Sequence, residues 1–207
     1  MLLLCGYNDI SHASSNQCWL SPVALDLIAS LRLPGQPDPY AFYIVGLREP
    51  DLYHQVLSNI TIQLLRQNRE ALQNQEQYAE LRAELLDYQK AAMTSAQSDE
   101  DHRDSDKISS LIQKVALRIL NMFDPTKTVW IILDRADRCR FGSRNGQRKR
   151  LLKSMVHLVE KSRVRVRVLV VVNGHDWSVD EQADELGQTD PESVILDRVE
   201  QGLVEPW

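Results

Sequence analysis

Apolar residues recur along this 207-residue chain with two different periods, and each change of period marks a new element. Between Ser21 and Leu33, Val23, Leu27, Ile28 and Leu31 return at helical spacing. Ser21 is a good N-cap, and Pro22 fits the first helical position, where its missing N–H costs nothing. Pro34, Gly35, Pro37 and Pro39 end the pattern. Ala41–Val45 (AFYIV) is short, apolar and rich in β-branched and aromatic residues, which predicts a buried strand. From Asp51 to about Lys90 a helical pattern runs through Leu52, Val56, Ile60 and Leu64. Its second half, Gln73–Gln89, is more polar and reads as a separate, weaker helix. Met93–Asp106 (MTSAQSDEDHRDSD) has no apolar period and is rich in Ser and acids, so it reads as a flexible acidic linker. Lys107–Phe123 is again amphipathic, and Asp124-Pro125 stops it.

Thr128–Leu133 (TVWIIL) is apolar at every position but the first, as expected of a strand covered on both faces. Asp134 follows at its carboxyl end. Gly142–Gly146 reads as a loop, and Gln147–Lys161 as a helix with Leu151, Leu152, Met155 and Leu158 inward. Arg163–Val172 (RVRVRVLVVV) is the clearest strand. Its first half alternates, with Arg163, Arg165 and Arg167 on one face, and its second half is apolar throughout. Asn173-Gly174 ends it, and Val194–Val199 reads as a last strand. Buried strands alternating with helices predict an α/β fold, three layers deep, on a mainly parallel sheet. The whole chain reads as one domain. Function in such sheets gathers just beyond the carboxyl ends of the strands, here at Asp134–Arg138 and Asn173–Trp177.

Charge adds an asymmetry. The chain carries a net −5, yet residues Arg135 to Arg167 hold twelve basic and two acidic residues, a local +10. A globally basic nucleic-acid binder is excluded, while a local basic surface that meets phosphates stays open. No aromatic interrupts the Arg163–Arg167 run, so stacking on single strands finds little support in it. Three cysteines without a C-x-x-C pair, and five scattered histidines, give no zinc spacing. No run approaches the roughly 20 apolar residues that span a bilayer. The expected location is cytoplasmic, without a membrane partner.

Trp130–Cys139 (WIILDRADRC) resembles the Walker B segment of P-loop NTPases. More narrowly, it is similar to the form found in NACHT/STAND-type signalling ATPases of the nephrocystin-like, fungal kind. The helix that follows, and a strand ending at Asn173 in the manner of a sensor strand, fit the same order. The resemblance implies that Asp134 holds Mg²⁺ against the β- and γ-phosphates of ATP. It implies a second acid at Asp137 and a phosphate-sensing role for Asn173. The glutamate that would polarise the attacking water is replaced by Arg138, and a guanidinium is no base. A P-loop also needs glycine N–H groups and a lysine on the phosphates. None of the eight glycines precedes a lysine, and the first lysine is Lys90. The connection Gly6–Leu20, between an apolar start and the Ser21 helix, has one Gly and no Lys or Arg.

The expectation is therefore a degenerate or truncated NACHT/STAND-like domain that serves as a regulatory or oligomerisation module. Hydrolysis would be weak or absent, Mg-ATP a doubtful cofactor, and protein partners or self-association the mode of action. Two alternatives stand beside it. One is a fragment of an active NTPase whose P-loop lies upstream. The other is a polyanion or nucleic-acid binder using the Arg135–Arg167 surface, with Arg163, Arg165 and Arg167 as anion contacts. Two bland readings also remain at the motif itself. Asp134 and Asp137 would pair with Arg135, Arg138 or Arg140, and Asn173-Gly174 would be a simple turn. His175 and Asp176 form a weak acid–base candidate, with no Ser or Cys nucleophile to serve.

Overall fold

The computed structural model describes residues 1–7, 18–35, 38–46, 53–68, 73–95, 103–139, 146–186 and 194–200. In chain order the elements are β1 (Leu2–Tyr7), α1 (Ser21–Leu31), β2 (Tyr40–Ile44), α2 (Tyr53–Gln67), α3 (Gln75–Ser95), α4 (Arg103–Asn121), β3 (Thr128–Asp134), α5 (Gly146–Lys161), β4 (Arg165–Asn173), α6 (Val179–Leu186) and β5 (Ile195–Glu200). The five strands form one sheet in the order β2-β3-β4-β1-β5, and every neighbouring pair is parallel. The expected α/β class and parallel sheet are observed.

Strand periodicity sorts the two faces. Val129, Ile131 and Leu133 of β3 and Val166, Val168, Val170 and Val172 of β4 point into the larger core. That core takes Val56, Ile60 and Leu64 from α2, Ile112, Val115 and Ile119 from α4, and Leu151, Met155 and Leu158 from α5. The opposite residues, Ile132, Leu169 and Val171, meet a smaller core under α1, whose Ala24, Ile28 and Leu31 repeat at helical spacing. Strands buried on both faces lose the usual polar alternation, which is why TVWIIL and VLVVV read as continuous apolar runs.

Several boundaries differ from the sequence reading. The long helical pattern is broken in two, α2 and α3, as the polar second half suggested. α3 lies outside α4, and its Glu84 and Glu80 are bound by Arg118 of α4, with Glu84 also reached by Lys114 at 3.1 Å. Both ends of the Met93–Asp106 stretch are helical. α3 continues to Ser95 through the good helix formers Ala91, Ala92 and Met93, and α4 begins at Arg103. The remaining 96–102 lie outside the described residues, as do 142–145 of the Gly142–Gly146 loop. Leu20, not Ser21, is the N-cap of α1, and no side chain caps that helix.

β2 is an edge strand, and α2 covers its free backbone. Phe42 N–H donates to Gln63 Oε1 at 3.1 Å, and Gln63 Nε2 donates to the Phe42 carbonyl at 2.8 Å. Gln67, one helical turn on, makes the same pair of bonds with Tyr40. Two side-chain amides thus stand in for a sixth strand and shield an edge that would otherwise recruit another chain.

Two outcomes are expected. The double substitution Gln63→Leu/Gln67→Leu should strip this cover and produce concentration-dependent self-association in light scattering, with an edge no longer protected. Glu84 is pushed up by burial but pulled down further by the Arg118 and Lys114 hydrogen bonds, so its pKa is lowered below 4.5. A lowered carboxyl stabilises the fold above its unfolded pKa and loses that contribution as pH falls through the folded one. Glu84→Gln should therefore cost about 1–2 kcal/mol at pH 7 in urea unfolding, and its deficit should shrink below about pH 4.5.

Candidate functional site

The carboxyl ends of β3 and β4 meet the start of α1, and the residues there are polar but buried. Asp134 ends β3 at 4% exposure, Asp137 is fully buried in the short 3-10 turn Ala136–Arg138, and Asn173 ends β4 at 2%. The fold thus brings together the three residues singled out at the motif. It adds Arg135, one of the arginines expected to pair with these acids, Asp176, read only as a weak acid–base candidate, and Ser21, read only as a helix cap.

Ser21 Oγ donates to Asp134 Oδ1 at 2.9 Å across 113 positions. This bond explains why Ser21 does not cap its own helix: its hydroxyl satisfies a buried carboxylate instead. Burial pushes the Asp134 carboxyl above its ordinary 3.8, while the Ser21 bond and the nearby Arg135 charge pull back. Arg135 lies next in sequence in a left-handed conformation, φ 61°, which costs a non-glycine residue about 1–2 kcal/mol. The turn aims its guanidinium at Asp137. Arg135 Nη2 donates to Asp137 Oδ2 at 2.8 Å and Nε donates to Oδ1 at 3.1 Å. Burial alone would lower the Arg135 pKa, but the Asp137 carboxylate outweighs it and holds it above its ordinary value. The same Nη2 reaches Asp176 Oδ2 at 3.2 Å.

Asn173 is committed on every side. Its N–H donates to Asp137 Oδ1 at 3.0 Å, its Nδ2 donates to Asp176 Oδ2 at 3.0 Å, and its Oδ1 accepts from His175 N. The turn reading of Asn173-Gly174 is what these bonds describe. Asp176 is 40% exposed and held by Arg135 and Asn173, so its carboxylate serves the turn. Arg148 of α5 is buried, lies 5.0 Å over the Trp177 ring and donates to the Asp176 carbonyl at 2.9 Å. Of the basic Arg135–Arg167 stretch, Arg135 and Arg148 are therefore interior groups. Arg138 is half-buried, and burial and the neighbouring Arg135 lower its pKa.

The space over β1 is apolar. A Cβ on Gly6 would meet Leu20 Cδ1 at 2.9 Å and Cys18 Sγ at 3.3 Å, so these two side chains already fill the room over the end of that strand. Leu20 and Cys18 are 4% and 3% exposed. Burial raises the Cys18 thiol to about 11, which keeps it protonated as a donor to the Val172 carbonyl at 3.5 Å. Residues 8–17 of the Gly6–Leu20 connection lie outside the described residues. Arg165 and Arg167 sit at the opposite end of β4 from the site. Arg163 precedes the strand and departs from their face. It lines a cleft of about 370 Å³ with Glu80, Lys114 and Arg118, and its N–H is tied to Asn121 Oδ1 at 2.7 Å. Cys139 is buried in the larger core. Among the described residues no three His, Cys, Asp or Glu side chains converge as a metal cluster, and no helix is long and apolar enough to cross a membrane.

At Asp134, Oδ1 accepts from the Ser21 hydroxyl, and Asp137 is chelated by the Arg135 guanidinium. Arg135 supplies the positive charge that two neighbouring carboxylates require. Comparison with protein-family models gives no match, and comparison with curated proteins gives none.

Removing Asp137 would take the bidentate carboxylate away from the buried Arg135 charge. Asp137→Ala should therefore destabilise by about 3 kcal/mol, a fall of roughly 6–12 °C in Tm. Arg135→Met/Asp137→Leu should recover most of that loss. Asp134 has the opposite sign. Its raised pKa makes the ionised form a cost that is absent below the ordinary 3.8 and complete above the raised value. Asp134→Asn, which still accepts from Ser21, should be more stable than the parent at pH 7, with the gain vanishing towards pH 3.8 in pH-dependent urea unfolding.

Proposed function

We propose that this chain is a degenerate NACHT/STAND-like P-loop NTPase domain, acting as a regulatory or oligomerisation module rather than as a nucleotide hydrolase. The observation that carries the reading is the Ser21–Asp134 hydrogen bond. In the pattern G-x-x-x-x-G-K-[ST] the final hydroxyl opens a helix and shares Mg²⁺ with the acid that ends the Walker B strand. Ser21 opens α1, and its partner is the acid that ends β3.

Counting back from Ser21, Leu20 falls at the lysine, Trp19 at the second glycine and Ser14 at the first. Each departure removes one function. Leu20 cannot neutralise a phosphate, and the bulk of Trp19 replaces the glycine that lets backbone N–H groups approach one. The hydroxyl and the acid then bond directly to each other. Two further features agree. β4, the sensor-like strand, runs between β1 and β3. Asn173, at its end, is bonded to Asp137 and Asp176.

The reading in which a P-loop lies upstream is less favoured. β1 and α1 already flank the phosphate-loop position, with β1 paired to both β4 and β5. What remains for such a module is contact with protein partners or with further copies of itself.

Isothermal titration of Mg-ATP into the intact chain tests this. No saturable heat is expected up to about 1 mM, which bounds binding at roughly −4 kcal/mol, and no phosphate release above the uncatalysed background. Micromolar affinity would overturn the proposal.

A further inference from the structure

α1 covers only part of its face of the sheet. Its C-cap residue Arg32 reaches Phe42, with the guanidinium carbon 5.1 Å from the ring centroid. In that row Phe42, Ile132 and Leu169 are register neighbours. In the next row towards the amino ends of the strands, the register aligns Tyr40 of β2, Trp130 of β3 and Arg167 of β4, and the row beyond pairs Thr128 with Arg165. Arg165 and Arg167 are exposed, while Tyr40, Phe42 and Trp130 are half-buried. The Arg167 guanidinium lies 5.2 Å from the Trp130 ring centroid. Among the described residues none of Arg32, Arg165 and Arg167 takes part in an ion pair. The acid at the rim is Asp38, whose Oδ1 accepts from Thr128 N at 3.5 Å.

We propose that this open face binds single-stranded nucleic acid, with bases stacked on Tyr40 and Trp130 and phosphates held by Arg165, Arg167 and Arg32. Tyr40 and Trp130 are register partners on adjacent strands, whose backbones lie about 4.8 Å apart, and arginines on one face of β4 recur every ~6.6 Å along it. Rings beside arginines on a sheet face are the combination that holds unstacked bases and tracks their backbone. An acidic peptide would use the cations and leave the rings without a role. An apolar protein surface would use the rings but strand the arginine charges away from water. A duplex keeps its bases stacked and offers the rings nothing. The aromatics come from neighbouring strands, so the alternating Arg run carries no trace of them in sequence. The site lies at the other end of the sheet from Asp134 and Ser21 and does not depend on the nucleotide reading.

Fluorescence anisotropy of a labelled twelve-nucleotide oligothymidylate, titrated with the full chain at about 50 mM NaCl, tests the proposal. Binding is expected with a log–log salt slope near −2, since three phosphate contacts at about 0.7 each release that many ions. Raising salt to about 200 mM should thus weaken it roughly 20-fold. Arg165→Gln/Arg167→Gln, both exposed positions, should weaken binding at least about tenfold and bring the slope towards roughly −0.7. Trp130→Leu should weaken it about 5- to 100-fold and leave the slope unchanged. A thermal melt of each variant checks that the fold is kept. The proposal is overturned by absence of binding at low salt, by equal affinity for the matching duplex, or by polyglutamate competing as well as the oligonucleotide. Inorganic polyphosphate binding as tightly, with Trp130→Leu without effect, would also overturn it.

Discussion

The buried ion pair between Arg135 and Asp137 joins the carboxyl end of β3 to that of β4. Neither charge is tolerable alone at that depth. Either a guanidinium or a carboxylate buried without its partner would cost several kcal/mol. Together they satisfy one another, and the spare capacity is spent locally. Asp137 also accepts the Asn173 N–H, and Arg135 also reaches Asp176. The left-handed backbone at Arg135 makes this possible, because only that turn brings the guanidinium back over its own chain two residues on. Strain of this kind persists where surrounding contacts over-determine it, and here the contacts come from β4, from the Asp176 turn and, through the Asp176 carbonyl, from Arg148 of α5.

That constraint shapes the two faces of the sheet differently. On the face of α2, α4 and α5 the strands give mainly apolar side chains, most of them fully buried, with Tyr43 partly buried. On the face of α1 the same strands change character along their length. They are polar and cross-linked at the carboxyl end, apolar under α1, and aromatic and cationic beyond it. One helix cannot cover five strands. Among the described residues, the rows beyond α1 carry arginine guanidinium groups over aromatic rings, and the free edge is closed by Gln63 and Gln67. Each device answers a local exposure rather than an overall design of three full layers.

Much of the architecture was legible because it depends on period alone. TVWIIL and VLVVV announce covered strands, and the stripes through α2, α4 and α5 announce their inward faces. The meeting of Asp134, Asp137 and Asn173 was also legible, since parallel strands bring their carboxyl ends to one side. What was not legible is what those groups do to each other. Arg135 is one of three arginines that sequence offers as partners for the acids, and the backbone turn that selects it for Asp137 leaves no local mark. Ser21 reads as a helix cap because Ser before Pro usually is one. Its true partner is 113 positions away, a distance no local pattern spans. Glycine and lysine, the residues that mark a phosphate loop in sequence, are missing there, so the serine in the pattern's last position carries no local signal. Arg163 read as a strand residue because the alternation continues through it. It falls outside β4 because its N–H is taken by Asn121.

A nucleotide switch works by binding one conformation better than another. The groups that would supply that preference are spent on one another: hydroxyl on acid, guanidinium on acid, amide on acid, and leucine over the first strand. Among the described residues at this end of the sheet, Asp134, Asp137, Asn173 and Arg135 each have partners within the chain. The geometry is instead held constant by bonds internal to the chain. On the proposed reading that is the physical difference between a motor and its remnant. An active site of this class keeps its charges unsatisfied until phosphate and metal arrive, whereas here the compensating cation is covalently part of the strand that carries the acid. On the same proposed reading, such a module would present a fixed surface, and regulation would come from what binds it.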